Sequence, residues 1–261
     1  MRKGMRRGVY LLPSLFTIGN LLCGFYAIVA VYNDDYPIAA LAILGALVLD
    51  FLDGAVARIT NSSSDFGIEL DSLADLVSFG VAPAVLAYVW ALRPFERLGW
   101  LACFLFVICG ALRLARFNIQ ARNLDKRYFV GLPIPAAAGL VASFVLFMKD
   151  SSSFTIFEWE ILSPEFSSWL VAILVYTLSF LMVSKVRYRS LKGIDIKRRH
   201  PITILVGVTL ALLVIASQPS LLLFAIFFGY ALSGLWRYLP LPRKRPYLIE
   251  EAELRDTHIG H

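Results

Sequence analysis

The stretch Asp50–Asp75, DFLDGAVARITNSSSDFGIELDSLAD, decides how the rest of the chain is read. It holds four carboxylates in two pairs, Asp50 with Asp53 and Asp71 with Asp75, three and four residues apart. At those spacings each pair projects from one face of a helix, and a turn between the helices brings the pairs together. The setting is apolar: the run from Pro37 to Leu49 leads into the first pair, and the second pair leads into a run that continues to Leu92. Carboxylates at such depth need compensating cations, and four of them call for more than one positive charge. Asp50, Asp53, Gly54 and Ala57 share a face with little side-chain bulk, which leaves room for a flat or bulky ligand. Gly67, Asp71 and Asp75 form the matching stripe, and Arg58, one turn after Gly54, offers a fixed positive charge suited to a phosphate oxygen.

Composition places this stretch in a membrane. The 261 residues are 58% hydrophobic, with a mean hydropathy of +0.69, and several apolar runs are long enough to cross a bilayer core of ~30 Å. A net charge of +6 and a pI near 9.3 could suit nucleic acid, but in a membrane chain basic residues gather in cytoplasmic loops. The charge is therefore read as topology, and no nucleic-acid partner is expected. Cys23, Cys103 and Cys109 lie inside apolar runs without metal-ligand spacing and read as packing residues. His200, His258 and His261 fall in basic or terminal segments, so histidine catalysis is not expected. The basic start MRKGMRR shows no small-residue cleavage site, and no cleaved signal peptide is expected.

Periodicity predicts an all-α bundle of about eight membrane helices: Val9–Tyr32, Pro37–Ile59, Gly67–Leu92, Leu98–Phe117, Pro133–Met148, Ser167–Val186, Ile202–Ala216 and Ser220–Leu239. Residues 1–240 form one membrane domain, followed by a charged tail at 241–261. Gly80 and Pro83 should bend or loosen the third helix. With alternate loops on opposite sides, only Arg93, Arg97 and Lys149 of the 25 Lys and Arg fall on the far side. That bias puts both termini and the carboxylates at the cytoplasmic face, with basic segments that attract anionic lipid.

Other polar residues enter the apolar runs. Thr17 and Asn20 share a face of the first helix and either bond a neighbouring helix or line the carboxylate cavity and touch a ligand, the second reading being preferred. Ser64, in the turn of the carboxylate hairpin, is a helix cap, a loop residue or a phosphate contact. Arg113 and Arg116 share a face near the end of the fourth helix, either reaching for interfacial phosphates or holding an anionic ligand, with Asn118 just beyond.

Asp50, Asp53, Gly54, Ala57, Arg58, Gly67, Asp71 and Asp75 resemble the motif of the CDP-alcohol phosphatidyltransferases at every fixed position. GALRLARFN at 110–118 and FVGLPIPAA at 129–137 look like segments of that family's phosphatidylserine synthase branch. The resemblance implies a six-helix family core, a homodimer, and two divalent cations, Mg2+ or Mn2+, on Asp50, Asp53, Asp71 and Asp75. It further implies CDP-diacylglycerol bound by Thr17, Asn20, Gly54, Ala57, Arg58, Ser64 and Gly67, L-serine bound by Arg113, Arg116 and Asn118, and Asp75 as general base. Oxygen-only, highly charged ligand sets favour hard cations that bridge phosphate oxygens, which fits a diphosphate substrate. The alternatives are a sister enzyme using glycerol 3-phosphate or inositol (phosphate), or a cation transporter. Against a transporter, all four acids sit in one hairpin and Arg58 would repel the ion.

Overall fold

The computed structural model describes residues 4–60, 65–121, 128–151, 164–189 and 218–236. Helices follow one another as α1 (Gly4–Tyr32), α2 (Tyr36–Thr60), α3 (Asp65–Asp75), α4 (Ala82–Ala87), α5 (Glu96–Ala121), α6 (Ile134–Ser151), α7 (Pro164–Val183) and α8 (Pro219–Trp236). Four stretches among the described residues are long and apolar enough to cross a bilayer: Ser14–Tyr32, Tyr36–Ala57, Phe66–Ile119 and Phe166–Val183. Ile134–Lys149 and Pro219–Gly234 are shorter apolar helices. The protein is a membrane-embedded helical bundle. Large apolar side chains such as Phe25, Phe51, Phe104 and Phe180 are exposed on its outer faces, where lipid takes the place of a buried core.

The described residues do not confirm the expected count of eight, because helix 202–216 and the tail at 241–261 lie outside them; the expected third and fourth helices follow one another directly within one apolar stretch, Phe66–Ile119. Within it, α3 passes into a π-helical turn at Leu76–Val81, then α4, a second π-helical turn at Tyr88–Leu92 and a 3-10 turn at Arg93–Phe95. The loosening expected around Gly80 and Pro83 is thus present as widened turns rather than one kink. Glu96, at φ 42°, makes the corner into α5. A further departure from a purely helical chain is a small antiparallel ribbon, β1 (Tyr128–Val130) with β2 (Arg187–Arg189), which ties the segment after α5 to the segment after α7.

Two stripes bring α1 and α2 together. On α2 the buried apolar residues Ala39, Ile43 and Ala46 continue at alternating spacings of three and four into Asp50, Asp53 and Ala57. On α1 the same rhythm runs through Thr17, Asn20, Gly24, Ala27 and Val31. Such a stripe keeps one helix face turned to one neighbour over many turns, so polar and apolar layers on the two helices stay in step. A second lock lies deeper. Ile134, fully buried at the start of α6, reaches its Cδ1 into a notch between Gly80 and Gly110, where a Cβ on Gly110 would stand only 2.5 Å away. Pro133 accepts the N–H groups of Ala136 and Ala137, so the proline-flanked start of α6 begins in register at that notch.

Candidate active site at the carboxylate hairpin

Of the four acids, Asp50, Asp71 and Asp75 converge, each with a carboxylate oxygen within 4.8 Å of the others. Asp53 stands beside them with a different engagement: its Oδ2 accepts the Thr17 hydroxyl at 2.5 Å, and its Oδ1 is buried without a hydrogen-bond partner. Asn20, wholly buried, donates from Nδ2 to Asp75 Oδ1 at 3.0 Å and leaves its own Oδ1 unpartnered. Thr17 and Asn20 therefore each hold one acid, Thr17 from the first pair and Asn20 from the second. The expected bonding of Thr17 and Asn20 to neighbouring helices is thus observed, to Asp53 of α2 and to Asp75 of α3.

A cluster of three carboxylates at this depth, with an orphaned carboxylate oxygen beside it, suits hard divalent cations: the donors are all oxygen and closely spaced. Gly54, Ala57 and Gly67 are partly buried next to the acids and keep that rim low. Arg58 lies in α2, but its side chain is outside the described residues, as is all of Ser64.

The arginine end of α5 separates three residues that sequence had grouped. The helix runs to Ala121, so Arg113 sits two turns inside its end. Arg113 is buried, 8% exposed, with its Nε lacking a hydrogen-bond partner, and it lies within electrostatic range of Asp75 and of Tyr230 on α8. Arg116 instead reaches the Val183 carbonyl at the end of α7, at 3.4 Å. Asn118 donates to Ser72 Oγ at 2.9 Å, and Ser72 donates to the Ile68 carbonyl, which ties α5 to α3 beside Asp71. A cavity of about 430 Å³, lined by Leu112, Arg113, Ala115, Arg116, Ile119 and Val183, opens along this face.

Several contributing residues escaped the sequence reading. Ser72 sits next to Asp71, and its adjacency was the available signal. Gly24 extends the Thr17 and Asn20 stripe by one more step of four, which could have flagged it. Tyr230, an unremarkable aromatic in an apolar helix, had no sequence signal.

Comparison with known proteins follows the same lines. The family described as CDP-alcohol phosphatidyltransferase matches residues 10–164, from within α1 to the first residue of α7. A CDP-diacylglycerol--serine O-phosphatidyltransferase of Helicobacter pylori (strain ATCC 700392 / 26695) is 38% identical over 232 residues, 88% of this chain and 92% of its own. Proteins of the same description from Bacillus subtilis (strain 168) and Methanocaldococcus jannaschii are 40% identical over 181 residues and 37% over 184. They cover 69% and 70% of this chain and 91% and 75% of theirs. With the family's description matching residues 10–164, its eight motif residues present in the sequence and Asp50, Asp71 and Asp75 converging, the chain belongs to the CDP-alcohol phosphatidyltransferase family.

Proposed function

We propose that this protein transfers the phosphatidyl group of CDP-diacylglycerol to the hydroxyl of L-serine, giving phosphatidylserine and CMP. The observation that carries the reading is the meeting of Asp50, Asp71 and Asp75 beside Asp53, with the buried Arg113 in electrostatic range of Asp75. The relatives of the same description, alike over most of the chain, support the choice of serine.

The new bond joins the serine oxygen to the phosphorus that carries diacylglycerol, and the bond from that phosphorus to the CMP oxygen breaks. Asp75 accepts the serine hydroxyl proton as the oxygen attacks, since a neutral hydroxyl is a weak nucleophile. Asn20, bonded to one oxygen of Asp75, leaves the other for that proton. Asp50, Asp53, Asp71 and Asp75 would hold two Mg2+ or Mn2+ ions, and the ions, when bound, neutralise charge on the diphosphate. Asp53 would offer this set its Oδ1, which is buried without a hydrogen-bond partner, while Thr17 bonds Oδ2. Gly54, Ala57 and Gly67 allow the nucleotide to lie against backbone, while Thr17, Arg58 and Ser64 would complete the binding of CDP-diacylglycerol.

Arg113 takes the serine carboxylate. It has a free donor and is buried, where a charge-assisted hydrogen bond is strong. Arg116 and Asn118 shape the pocket from its rim, each already bonded to protein. Among the described residues the arginine with an unpartnered buried donor is Arg113, which suits an acceptor with one carboxylate and favours serine over glycerol 3-phosphate. A diacyl substrate reaches the site from lipid while its nucleotide enters from the cytoplasm, in agreement with the Lys and Arg bias. In this reading residues 1–240 are one membrane domain with the tail at 241–261 cytoplasmic, and the chain works as a homodimer.

The test is CMP release from CDP-diacylglycerol by the purified protein with Mg2+ or Mn2+ and, separately, serine, glycerol 3-phosphate or inositol. CMP with serine alone is expected. CMP with glycerol 3-phosphate transfers the chain to a sister activity, and none with any alcohol removes the enzyme reading.

A further inference from the structure

Immediately after Asp75 the helix widens. The Ala82 N–H reaches back five residues to the Val77 carbonyl, the mark of the π-helical turn Leu76–Val81. Such turns are rare and gather at functional sites. The packing around this one gives it a purpose. Ser78 is fully buried, and its hydroxyl donates to the main-chain oxygen of Asn20 at 2.9 Å.

That carbonyl is the one that α-helical geometry directs at the N–H of residue 24. A carbonyl has two lone pairs and accepts a second donor, but the donor must come in alongside residue 24 to reach it. Residue 24 is glycine. A Cβ there would stand 2.2 Å from Ser78 Oγ and 2.6 Å from Ser78 Cα, far inside contact distance. Because one of the atoms met is backbone, no rotation of a side chain relieves it. The same Asn20 whose carbonyl is held by Ser78 sends its side-chain amide to Asp75. A closed circuit results: along the chain from Asp75 to Ser78, across to the Asn20 backbone, and back through the Asn20 side chain to Asp75.

We infer that Ser78 and Gly24 are positioning residues for Asp75, fixing through Asn20 the direction in which its free oxygen meets the acceptor hydroxyl. This rests on the reading of Asp75 as the base. With Asp75 bonded to the Asn20 side chain and Ser78 to the Asn20 carbonyl, both ends of the segment between them are fixed to one residue of α1, and misplacing a reacting group by about 1 Å can cost on the order of a hundredfold in rate.

The test uses the full chain in detergent or nanodiscs, with kcat, both KM values and Mn2+ half-saturation measured by CMP release. Ser78→Ala is expected to lower kcat about tenfold while both KM values and the metal half-saturation stay within about twofold. Ser78→Cys, of similar size but a weak donor, is expected to fall between wild type and Ser78→Ala, and it decides the matter if Ser78→Ala does not fold. In an Asp75→Asn background, Ser78→Ala is expected to cause no further loss. A wild-type kcat in Ser78→Cys or Ser78→Ala overturns the inference. So does a tenfold loss that persists in the Asp75→Asn background, or a rise in both KM values with kcat unchanged. Asp75→Asn alone judges the base assignment: wild-type kcat there removes that assignment, whatever Ser78→Ala does.

Discussion

The carboxylate hairpin and the arginine end of α5, joined through Asn118 and Ser72, are organised in opposite ways. In the hairpin the four acids are drawn inward, and α1 supplies a dedicated partner to each pair, Thr17 to Asp53 and Asn20 to Asp75. On α5 three polar residues within six positions go three ways: Arg113 buried with a free donor, Arg116 to Val183, Asn118 to Ser72. The hairpin is a device for keeping like charges close, which only cations can make favourable. The end of α5 is a device for keeping one positive charge available while its neighbours secure the adjoining helices.

The contrast can be broken at several points. Stripping divalent metal with EDTA is expected to abolish CMP formation, with Mg2+ or Mn2+ restoring it; activity that survives chelation would mean the acids cluster for another reason. Asp75→Asn is expected to lower kcat by about three orders of magnitude, within the range for loss of a general base, and to shift the metal half-saturation less than Asp50→Asn does. Asp50→Asn is expected to weaken metal dependence as well as rate, and equal metal responses in the two variants would erase the distinction between them. Arg113→Ala is expected to raise the serine KM about thirtyfold, the loss of a hydrogen bond to a charged group, with the CDP-diacylglycerol KM unchanged. Arg116→Ala and Asn118→Ala should move the serine KM by no more than about threefold, since both are already bonded to protein. A larger effect from Arg116 than from Arg113 would reverse the assignment on α5.

Much of the hairpin was legible because helical spacing is a local property. Acids three and four apart on flanking helices must share faces, and the small residues between them limit how those faces pack. The partners of the acids were half legible: the spacing of Thr17 and Asn20 gave their common face, but not which acid each would hold, which depends on how α1 and α2 slide in register. The widened turn after Asp75 was foreshadowed by Gly80 and Pro83, yet its form was not, since Ser78 within it bonds the Asn20 carbonyl, a contact between residues 58 apart. The fates of Arg113 and Arg116 were hidden for the same reason. Their common face follows from sequence, while the Val183 carbonyl that takes Arg116 is placed by the packing of α7. The ribbon joining Tyr128–Val130 to Arg187–Arg189 had no alternating pattern to reveal it and exists because two helix ends meet.

The central claim is that Asp50, Asp71 and Asp75, with Asp53 beside them, act as one cluster that binds divalent cations. Titrating the purified protein with Mn2+ in the presence of CDP-diacylglycerol, with bound ion read by electron paramagnetic resonance, tests it most directly. The account predicts two bound ions per chain and a loss of at least one in Asp71→Asn. No retained Mn2+, or the same stoichiometry in wild type and variant, would contradict it.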